Sequence, residues 1–237
     1  MKTILHKAES RGHADHGWLN AWHTFSFASY HDEARVHFGV LRVLNDDTVD
    51  PGMGFGQHPH DNMEIITIPL SGQLEHKDSM GNSGTISKGE VQVMSAGTGI
   101  YHSEKNKSHD QQVKLLQIWV FPDKKNVEPR YDQKAFDLTA STNNLTTIVS
   151  PIDNGDGGLY IHQNAWFSLG KLDKDFSTSY QLHKKENGVY AFIIEGEVTI
   201  NGEKLNRRDG LGITETDKLD IKADANSEVL LMEVPLK

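Results

Sequence analysis

The chain has 237 residues, long enough for two domains of about 100 to 120 residues each. It contains no cysteine, so disulfides and thiolate metal sites are excluded and any metal must be bound by nitrogen and oxygen atoms. Its 24 basic and 33 acidic residues give a net charge of −9, which argues against direct nucleic-acid binding. The first residues lack the apolar segment of a signal peptide, and no apolar run approaches the roughly 18 residues of a membrane span, so we expect a cytoplasmic protein without membrane contact.

Short apolar segments, often β-branched and separated by glycine turns, recur along the whole chain. They predict strands at residues 36–44, 63–70, 91–94, 113–121, 188–194, 197–200 and 229–234. At most one helical turn is expected, near the N-terminus. Evenly spaced short strands with glycine turns indicate an all-β sandwich or barrel.

The two halves of the chain share a pattern. Gly72 and Gly196 lie in similar strand–turn–strand segments, and Gly89 and Gly210 form a second matched pair at nearly the same offset. Two matches at one offset predict a duplicated barrel, although common hairpin sequences would produce the same likeness. The polar segment 122–142 is the expected connection. We therefore predict one domain over residues 1–130 and a second over residues 131–237.

Two short motifs place histidines and a carboxylate at alternating positions. His58 and His60 flank Pro59, and residues i and i+2 of an extended chain point to the same face. Further along, His102 and Glu104 have the same spacing. Two such segments facing each other across a barrel would supply three imidazoles and one carboxylate, leaving one or two coordination positions open. These ligands suit divalent iron, manganese, nickel, copper, cobalt or zinc, and open positions are typical of catalytic metals.

The same residues resemble the two motifs of the cupin superfamily. The first motif matches at Gly52, His58, His60, Glu64 and Gly72, with one extra residue before the last glycine. The second motif matches at Gly89, Gly97, His102 and Asn106. It departs from the usual pattern in having Ser95 in place of a proline and an inserted Thr98-Gly99 before the histidine. The resemblance implies an all-β bicupin, with two jelly-roll barrels in one chain.

A denser resemblance links the chain to the pirin family, in its bacterial type described as quercetin 2,3-dioxygenase. It is carried by Arg11-Gly12-His13, Gly17-Trp18-Leu19, His23 to Ala28, Leu41 to Asp47, His58-Pro59-His60, Met94 to Glu104 and Gln117-Ile118-Trp119. The likeness is dense over the first half and thinner over the second. It implies that His58, His60, His102 and Glu104 bind one divalent transition metal, with iron as the first candidate.

Glu64, the glutamate of the first cupin motif, has two open interpretations. It is a metal ligand in many cupins but not in pirins. If it shares a strand face with His58 and His60, it would hydrogen-bond a metal-binding histidine. Otherwise it is a carboxylate in the interior or at the rim of the barrel.

The second half lacks equivalent ligands. The positions that match the two histidines of the first motif are Leu182 and Lys184, beside His183, and residues 223–228 contain no histidine. We therefore expect a structural second barrel that shares an interface with the first or covers its site. His162 and His183 are then expected to be hydrogen-bonded or surface histidines.

The pirin resemblance implies a reaction in which O2 cleaves a flavonol such as quercetin and carbon monoxide is released. The ion would act as a Lewis acid toward the flavonol 3-hydroxyl, with Glu104 as the general base. Apolar walls for a planar substrate could come from Phe38, Met53, Phe55, Ile100 and Trp119, although each of these is more commonly an ordinary core residue. Two alternatives stay open. The first is a non-enzymatic, metal-dependent regulator with a protein partner, similar to the eukaryotic pirins. The second is a cupin enzyme that acts on another small molecule.

Overall fold

The computed structural model describes residues 1–152 and 156–237 and consists almost entirely of strands. The strands of the first half are β1 (Lys2–His6), β2 (Gly12–Asp15), β3 (Leu19–His23), β4 (Leu41–Val49), β5 (Gly54–His60), β6 (Glu64–Ser71), β7 (Gln73–Asp78), β8 (Ser83–Ser87), β9 (Glu90–Ser95), β10 (Ile100–Asn106), β11 (Val113–Val120) and β12 (Arg130–Ala135). Those of the second half are β13 (Asn144–Pro151), β14 (Leu159–Ile161), β15 (Trp166–Leu172), β16 (Ser177–Gln181), β17 (Asn187–Glu195), β18 (Glu197–Ile200), β19 (Glu203–Asn206), β20 (Gly210–Thr214), β21 (Lys218–Ala223) and β22 (Ser227–Pro235).

Helical structure in the described ranges is limited to two 3₁₀ turns, Ala8–Ser10 and Glu33–Arg35. No helix in those ranges is long and apolar enough to cross a membrane. The first turn matches the helical turn expected near the N-terminus. The prediction of an all-β chain is therefore confirmed.

Each half contains a seven-stranded sheet and a four-stranded sheet. In the first half the orders are β12-β9-β6-β11-β4-β3-β2 and β5-β10-β7-β8, and in the second they are β1-β20-β17-β22-β15-β13-β14 and β16-β21-β18-β19. The bicupin prediction is confirmed. In the described residues each half is a pair of separately hydrogen-bonded sheets, so its barrel is not closed by one continuous ladder. Gly72 and Gly196, both with positive φ, carry the chain from the large sheet to the small one in equivalent places, and no ladder joins the two sheets there.

Two strand pairings cross the predicted division between residues 130 and 131. Strand β1 pairs antiparallel with β20, so the N-terminus completes the large sheet of the second half. Strand β12 lies within the expected connection 122–142 and pairs with β9 of the first half. The division into residues 1–130 and 131–237 stays a prediction, and these pairings show that the sheets are assembled from both sides of it.

One predicted strand begins too early. Residues 36–44 were expected to be extended, whereas β4 begins at Leu41. Gly39 has a φ of +54°, and a Cβ there would overlap the carbonyl oxygen of Pro235. The chain turns at this glycine because only a residue without a side chain fits against the C-terminal segment in that conformation.

The largest apolar core lies between the two seven-stranded sheets and draws on both halves. Successive residues of strand β17 point to opposite faces of the sheet. Tyr190 and Phe192 therefore belong to this shared core, whereas Val189 and Ala191 belong to the core within the second half. Burying a large apolar side chain contributes about 1.5–3 kcal/mol. The shared core therefore holds the two halves together.

The space between the two sheets of the first half has apolar ends and a polar middle. One end is formed by Leu19, Ala21, Val49, Leu74, Ile86, Val113 and Leu115, and the other by Ile65, Met94, Ala96 and Ile100. Between them, the alternation of β7, β10 and β11 turns His76, His102, Glu104 and Gln117 inward, and all four are buried. This polar middle is the candidate metal centre.

Candidate metal centre

The two histidine motifs lie on neighbouring strands of one sheet. Strand β5 pairs antiparallel with β10, with His58 opposite His102 and His60 opposite Ile100. The expectation that the two motifs face each other across a barrel is therefore wrong. Antiparallel pairing brings their inward-facing side chains together side by side, and a register shift between His102 and Glu104 marks a β-bulge at the site.

Three imidazoles meet at this point. The ring centroids of His58 and His102 are 4.4 Å apart, and His60 lies 4.9 Å from each of the other two. One ring nitrogen from each histidine can be chosen so that all three lie within 4.8 Å of one another. The three side chains are close enough together to share one ion.

Glu104 is buried beside the imidazoles. Its Oε2 accepts a hydrogen bond of 2.9 Å from Gln117 Nε2, and the Thr67 hydroxyl lies 3.4 Å from Oε1. Burial raises the pKa of Glu104, and the hydrogen bond from Gln117 acts in the opposite direction. One ligand atom each from Glu104, His102 and His76 can likewise be chosen so that all three lie within 4.8 Å of one another. His102 therefore belongs to two overlapping sets of possible metal ligands.

His60 and His102 are held in the form that binds metals. Burial, together with the neighbouring imidazoles, lowers the pKa of His60 to about 4 and that of His102 to about 2. Both rings are therefore neutral at pH 7. Neutral imidazole is the metal-binding form, since the lone pair of a ring nitrogen must be free.

Several buried polar atoms facing this interior have no hydrogen-bond partner within the described ranges. They are both ring nitrogens of His102, Nδ1 of His76, Nε1 of Trp119, Oδ1 of Asp47 and both amide atoms of Gln92. Buried polar atoms in folded proteins are nearly always paired, so such a concentration marks a site for a bound group. Imidazole nitrogens with one buried carboxylate fit a divalent transition metal.

His76 is the site residue that sequence reasoning missed. It is fully buried, lies opposite Glu104 on strand β7, and its ring centroid is 5.3 Å from that of His102. The signal was the alternation of Leu74, His76 and Asp78, which all occupy one face of β7. His76 belongs to neither of the two histidine motifs, and only the pairing of β7 with β10 brings it beside Glu104.

Glu64 and Thr67 lie on opposite faces of β6, so Glu64 points away from the metal centre that Thr67 faces. Its Oε2 accepts a 2.7 Å hydrogen bond from the Ser95 hydroxyl, and the side chain is 1% exposed. It shares its strand face with Ile66, which packs in the core between the halves. Burial raises the pKa of Glu64 to about 7. Glu64 is thus a buried carboxyl at the edge of the shared core, and the alternative of a hydrogen bond to a metal-binding histidine does not hold.

The apolar candidates separate into two groups. Trp119 lies edge-on to His60 with ring centroids 4.9 Å apart, and Ile100 belongs to the apolar cluster at the same end of the site. Phe38 instead packs against Tyr190 in the shared core. Phe55 packs against the apolar cluster at the other end of the site, and Met53 is exposed. Trp119 and Ile100 thus lie at the end of the site nearest His60.

His183, in the second half, contacts a buried glutamate and a tryptophan ring. Its Nδ1 lies 2.8 Å from Oε2 of the fully buried Glu233, and its ring stacks on Trp166 at 4.5 Å. Leu182 packs in the core within the second half. His183 is thus hydrogen-bonded, as expected for a histidine outside the metal centre.

Comparison with known proteins covers both halves. The family model described as Pirin matches residues 5–120, and the model described as Quercetinase C-terminal cupin domain matches residues 147–234. A protein named quercetin 2,3-dioxygenase from Escherichia coli strain K12 is 46% identical over 231 residues, which cover 98% of each chain. The chain belongs to the pirin family.

Other pirin relatives agree with this assignment. A pirin-like protein from Caulobacter vibrioides is 39% identical, with 94% of this chain and 95% of that protein covered. The crystal structure of the bacterial pirin YhhW from Escherichia coli, in complex with nickel(II), matches with a TM-score of 0.94 and 44% identity over 100% of both chains. The family assignment and the cluster of histidines and glutamate together indicate a metal-dependent protein of the pirin type.

Proposed function

We propose that this pirin is a metal-dependent dioxygenase that cleaves a flavonol such as quercetin with O2 and releases carbon monoxide. The observation that carries the proposal is the meeting of His58, His60 and His102, with the buried carboxylate of Glu104 beside His102, since three imidazoles and one carboxylate suit a catalytic divalent ion. The quercetin 2,3-dioxygenase name of its relative supports the choice of reaction.

The four residues of the proposed site would hold one ion, with iron as the first candidate and manganese, nickel, cobalt, copper or zinc as others. When bound, the ion supplies Lewis acidity toward an oxygen of the substrate. These ligands all come from residues 1–130, and we assign the second domain, residues 131–237, a structural role as the partner in the shared core.

Glu104 is proposed as the base that accepts the proton of the flavonol 3-hydroxyl. Gln117 donates to one carboxylate oxygen and the Thr67 hydroxyl lies near the other, so the orientation of the carboxylate is set from the opposite sheet. Trp119 forms an apolar wall beside His60, suited to a planar aromatic ring. Its indole N–H, which has no partner within the described ranges, can donate a hydrogen bond to a polar atom of the substrate.

Quercetin turnover by reconstituted protein tests the reaction. Protein loaded with iron, manganese, nickel, cobalt or copper should consume flavonol absorbance and release carbon monoxide in air but not under anaerobic conditions. Turnover with none of these metals would contradict the dioxygenase proposal and favour the alternative of a regulatory protein with a protein partner.

Substitution of single ligands tests the site. His102→Ala and Glu104→Ala should lose bound metal, whereas His109→Ala, at an exposed position in the same half, should keep it. Glu104→Gln should reduce turnover by about 10²–10⁴-fold, the usual contribution of a general base. Full metal content in both alanine variants, measured by elemental analysis, would refute the proposed ligand set.

A further inference from the structure

We propose that His76 is a further nitrogen donor of the metal centre and that Asp78 is the positioning residue that directs its Nδ1 lone pair toward the ion. The inference rests on the proposed function only in requiring that the cluster binds a metal. It adds a residue outside both histidine motifs, and it explains why His102 belongs to two overlapping donor sets.

The backbone brings His76 to the site. Strand β7 pairs with β10 on the side away from β5, with His76 opposite Glu104 and Asp78 opposite His102. Directly opposed residues of neighbouring strands project from the same face of a sheet. One ligand atom each from His76, His102 and Glu104 can be chosen so that all three lie within 4.8 Å of one another. The donors on β10 therefore lie between those of β5 and His76.

The hydrogen bond to Asp78 determines which nitrogen of His76 carries the proton. His76 Nε2 lies 3.3 Å from Asp78 Oδ2. The Asp78 carboxylate also accepts from the backbone N–H groups of Met80 and Asn82 and from the Asn82 side chain. An ionised carboxylate only accepts hydrogen bonds, so Nε2 donates and Nδ1 keeps its lone pair. A carboxylate behind an imidazole is the usual arrangement for a histidine that binds a metal.

The ring of His76 is held in place by burial and by stacking on an aromatic ring. It is fully buried, and it stacks on Tyr131 with ring centroids 4.6 Å apart and an angle of 29° between the planes. The Tyr131 hydroxyl in turn donates a hydrogen bond of 2.8 Å to Gln133 Oε1. Nδ1 of His76 is buried without a hydrogen-bond partner in the described part of the chain. An imidazole nitrogen fixed in this way costs stability unless a bound group uses it.

This donor would resolve a conflict in the role of Glu104. The proposed base is also a proposed ligand, and a carboxylate that takes up a proton becomes a poorer ligand. His76 and His102 can hold the ion while Glu104 carries the proton of the substrate. His76 thereby becomes a metal-holding residue and not the base itself.

Cobalt(II) is a suitable probe because its visible absorption depends on the number and type of its ligands. Purified wild-type protein, His76→Gln, Asp78→Asn and the control His109→Gln would each be titrated with cobalt(II). We expect the dissociation constant to rise about 10- to 100-fold in His76→Gln and Asp78→Asn, with altered cobalt absorption bands, and to stay unchanged in the control.

Asp78→Asn keeps the imidazole and tests its tautomer. The backbone N–H groups of Met80 and Asn82 both donate to Asp78 Oδ1, so the amide oxygen of an asparagine would occupy that position. Its NH2 would replace Oδ2 and face His76 Nε2, and the Asn82 amide, which donates to Oδ2 in the wild type, would turn its oxygen toward that NH2. The proton of His76 would then move to Nδ1 and remove the donor. Circular dichroism would establish that each variant is folded. Should His76→Gln fail to fold, the cobalt spectrum of Asp78→Asn decides.

The possible outcomes separate this inference from the proposed function. Wild-type affinity and absorption bands in the folded variants would overturn the role of His76 and leave the four-ligand centre intact. Failure of the wild-type protein to bind cobalt(II) at all would overturn the metal centre and the proposed function together. Weaker binding with altered bands in both variants supports the assignment.

Discussion

Glu64 illustrates how the face of a strand decides what a motif residue does. It belongs to the first cupin motif, but its partners are the Ser95 hydroxyl and the backbone N–H of His162. The charges of Arg130 and Asp123 act on it from the same region. Burial dominates these effects and raises the pKa of Glu64 to about 7. The carboxyl is therefore easier to bury protonated than ionised.

This shift predicts a pH-dependent stability. Above pH 4.5 a glutamate ionises in the unfolded chain, whereas Glu64 in the folded protein stays protonated up to about pH 7, so its contribution to the free energy of unfolding is lost as the pH rises through this window. Glu64→Gln has no ionisable carboxyl at this position and so avoids this loss of stability. Relative to wild type, this variant should gain on the order of 2–3 kcal/mol between pH 4 and pH 8, as measured by urea unfolding.

A matched control for this prediction is Glu186→Gln, at an exposed position in the second half. Its difference from wild type should be the same at both pH values. A pH-independent difference for Glu64→Gln would show that the buried carboxyl does not titrate in this window.

At the scale of elements, the close approach of β5 and β10 positions the metal centre. A Cβ at Gly54 would overlap the carbonyl oxygen of Glu104 and crowd the Cα of Lys105, whereas a Cβ at Gly56 on the same strand would meet nothing within 4 Å. Neither glycine has a positive φ, so space and not backbone conformation distinguishes them. The bulge between His102 and Glu104 lies next to this contact, since Lys105 is the residue opposite Gly54.

Gly54→Ala should push β5 away from β10 and displace His58 relative to Glu104. We expect a loss of about 1–3 kcal/mol in the free energy of unfolding, which is typical of overpacking, together with weaker nickel(II) binding in a calorimetric titration. Gly56→Ala should match wild type in both measurements. Equal nickel(II) affinity in the two variants would mean that the spacing of these strands does not control the site.

At the scale of the whole molecule, the two halves share their largest core, and the first contributes strand β1 to a sheet of the second. Large side chains from both, including Ile66 and Leu116 of the first and Phe192 and Met232 of the second, are buried in this core. Strand β1 extends the sheet of the second half from the opposite end of the chain. Separating the halves would expose this core to water, so neither half is expected to remain folded while the other unfolds.

Unfolding should therefore be a single cooperative transition. Hydrogen exchange followed by mass spectrometry in increasing urea should show β11 and β22 losing protection at the same midpoint. Phe192→Ala, which leaves a cavity in the shared core, should lower the free energy of unfolding by about 3–5 kcal/mol and shift both halves together. Two separate midpoints, or a shift confined to the second half, would contradict a shared core that couples them.

The local pattern of the chain predicted much of the site. The period-two spacing of His58 with His60 and of His102 with Glu104 correctly placed each pair on one face of a strand. The same spacing could not tell whether these strands are neighbours or face each other, because strand pairing joins residues far apart in sequence. His76 was missed for the same reason, since only the pairing of β7 with β10 brings it beside Glu104.

The sequence by itself determined the strand content, the absence of thiolate ligands and the histidine and glutamate motifs of the metal centre, because residue chemistry and alternation are local properties. Tertiary structure alone decided that β5 and β10 are neighbours, that Glu64 faces the shared core and that His76 completes the buried polar cluster. It also decided that β4 begins only after Gly39, where the chain turns against Pro235. These outcomes depend on which distant surfaces pack together, and the contacts that settle them exist only in the folded chain.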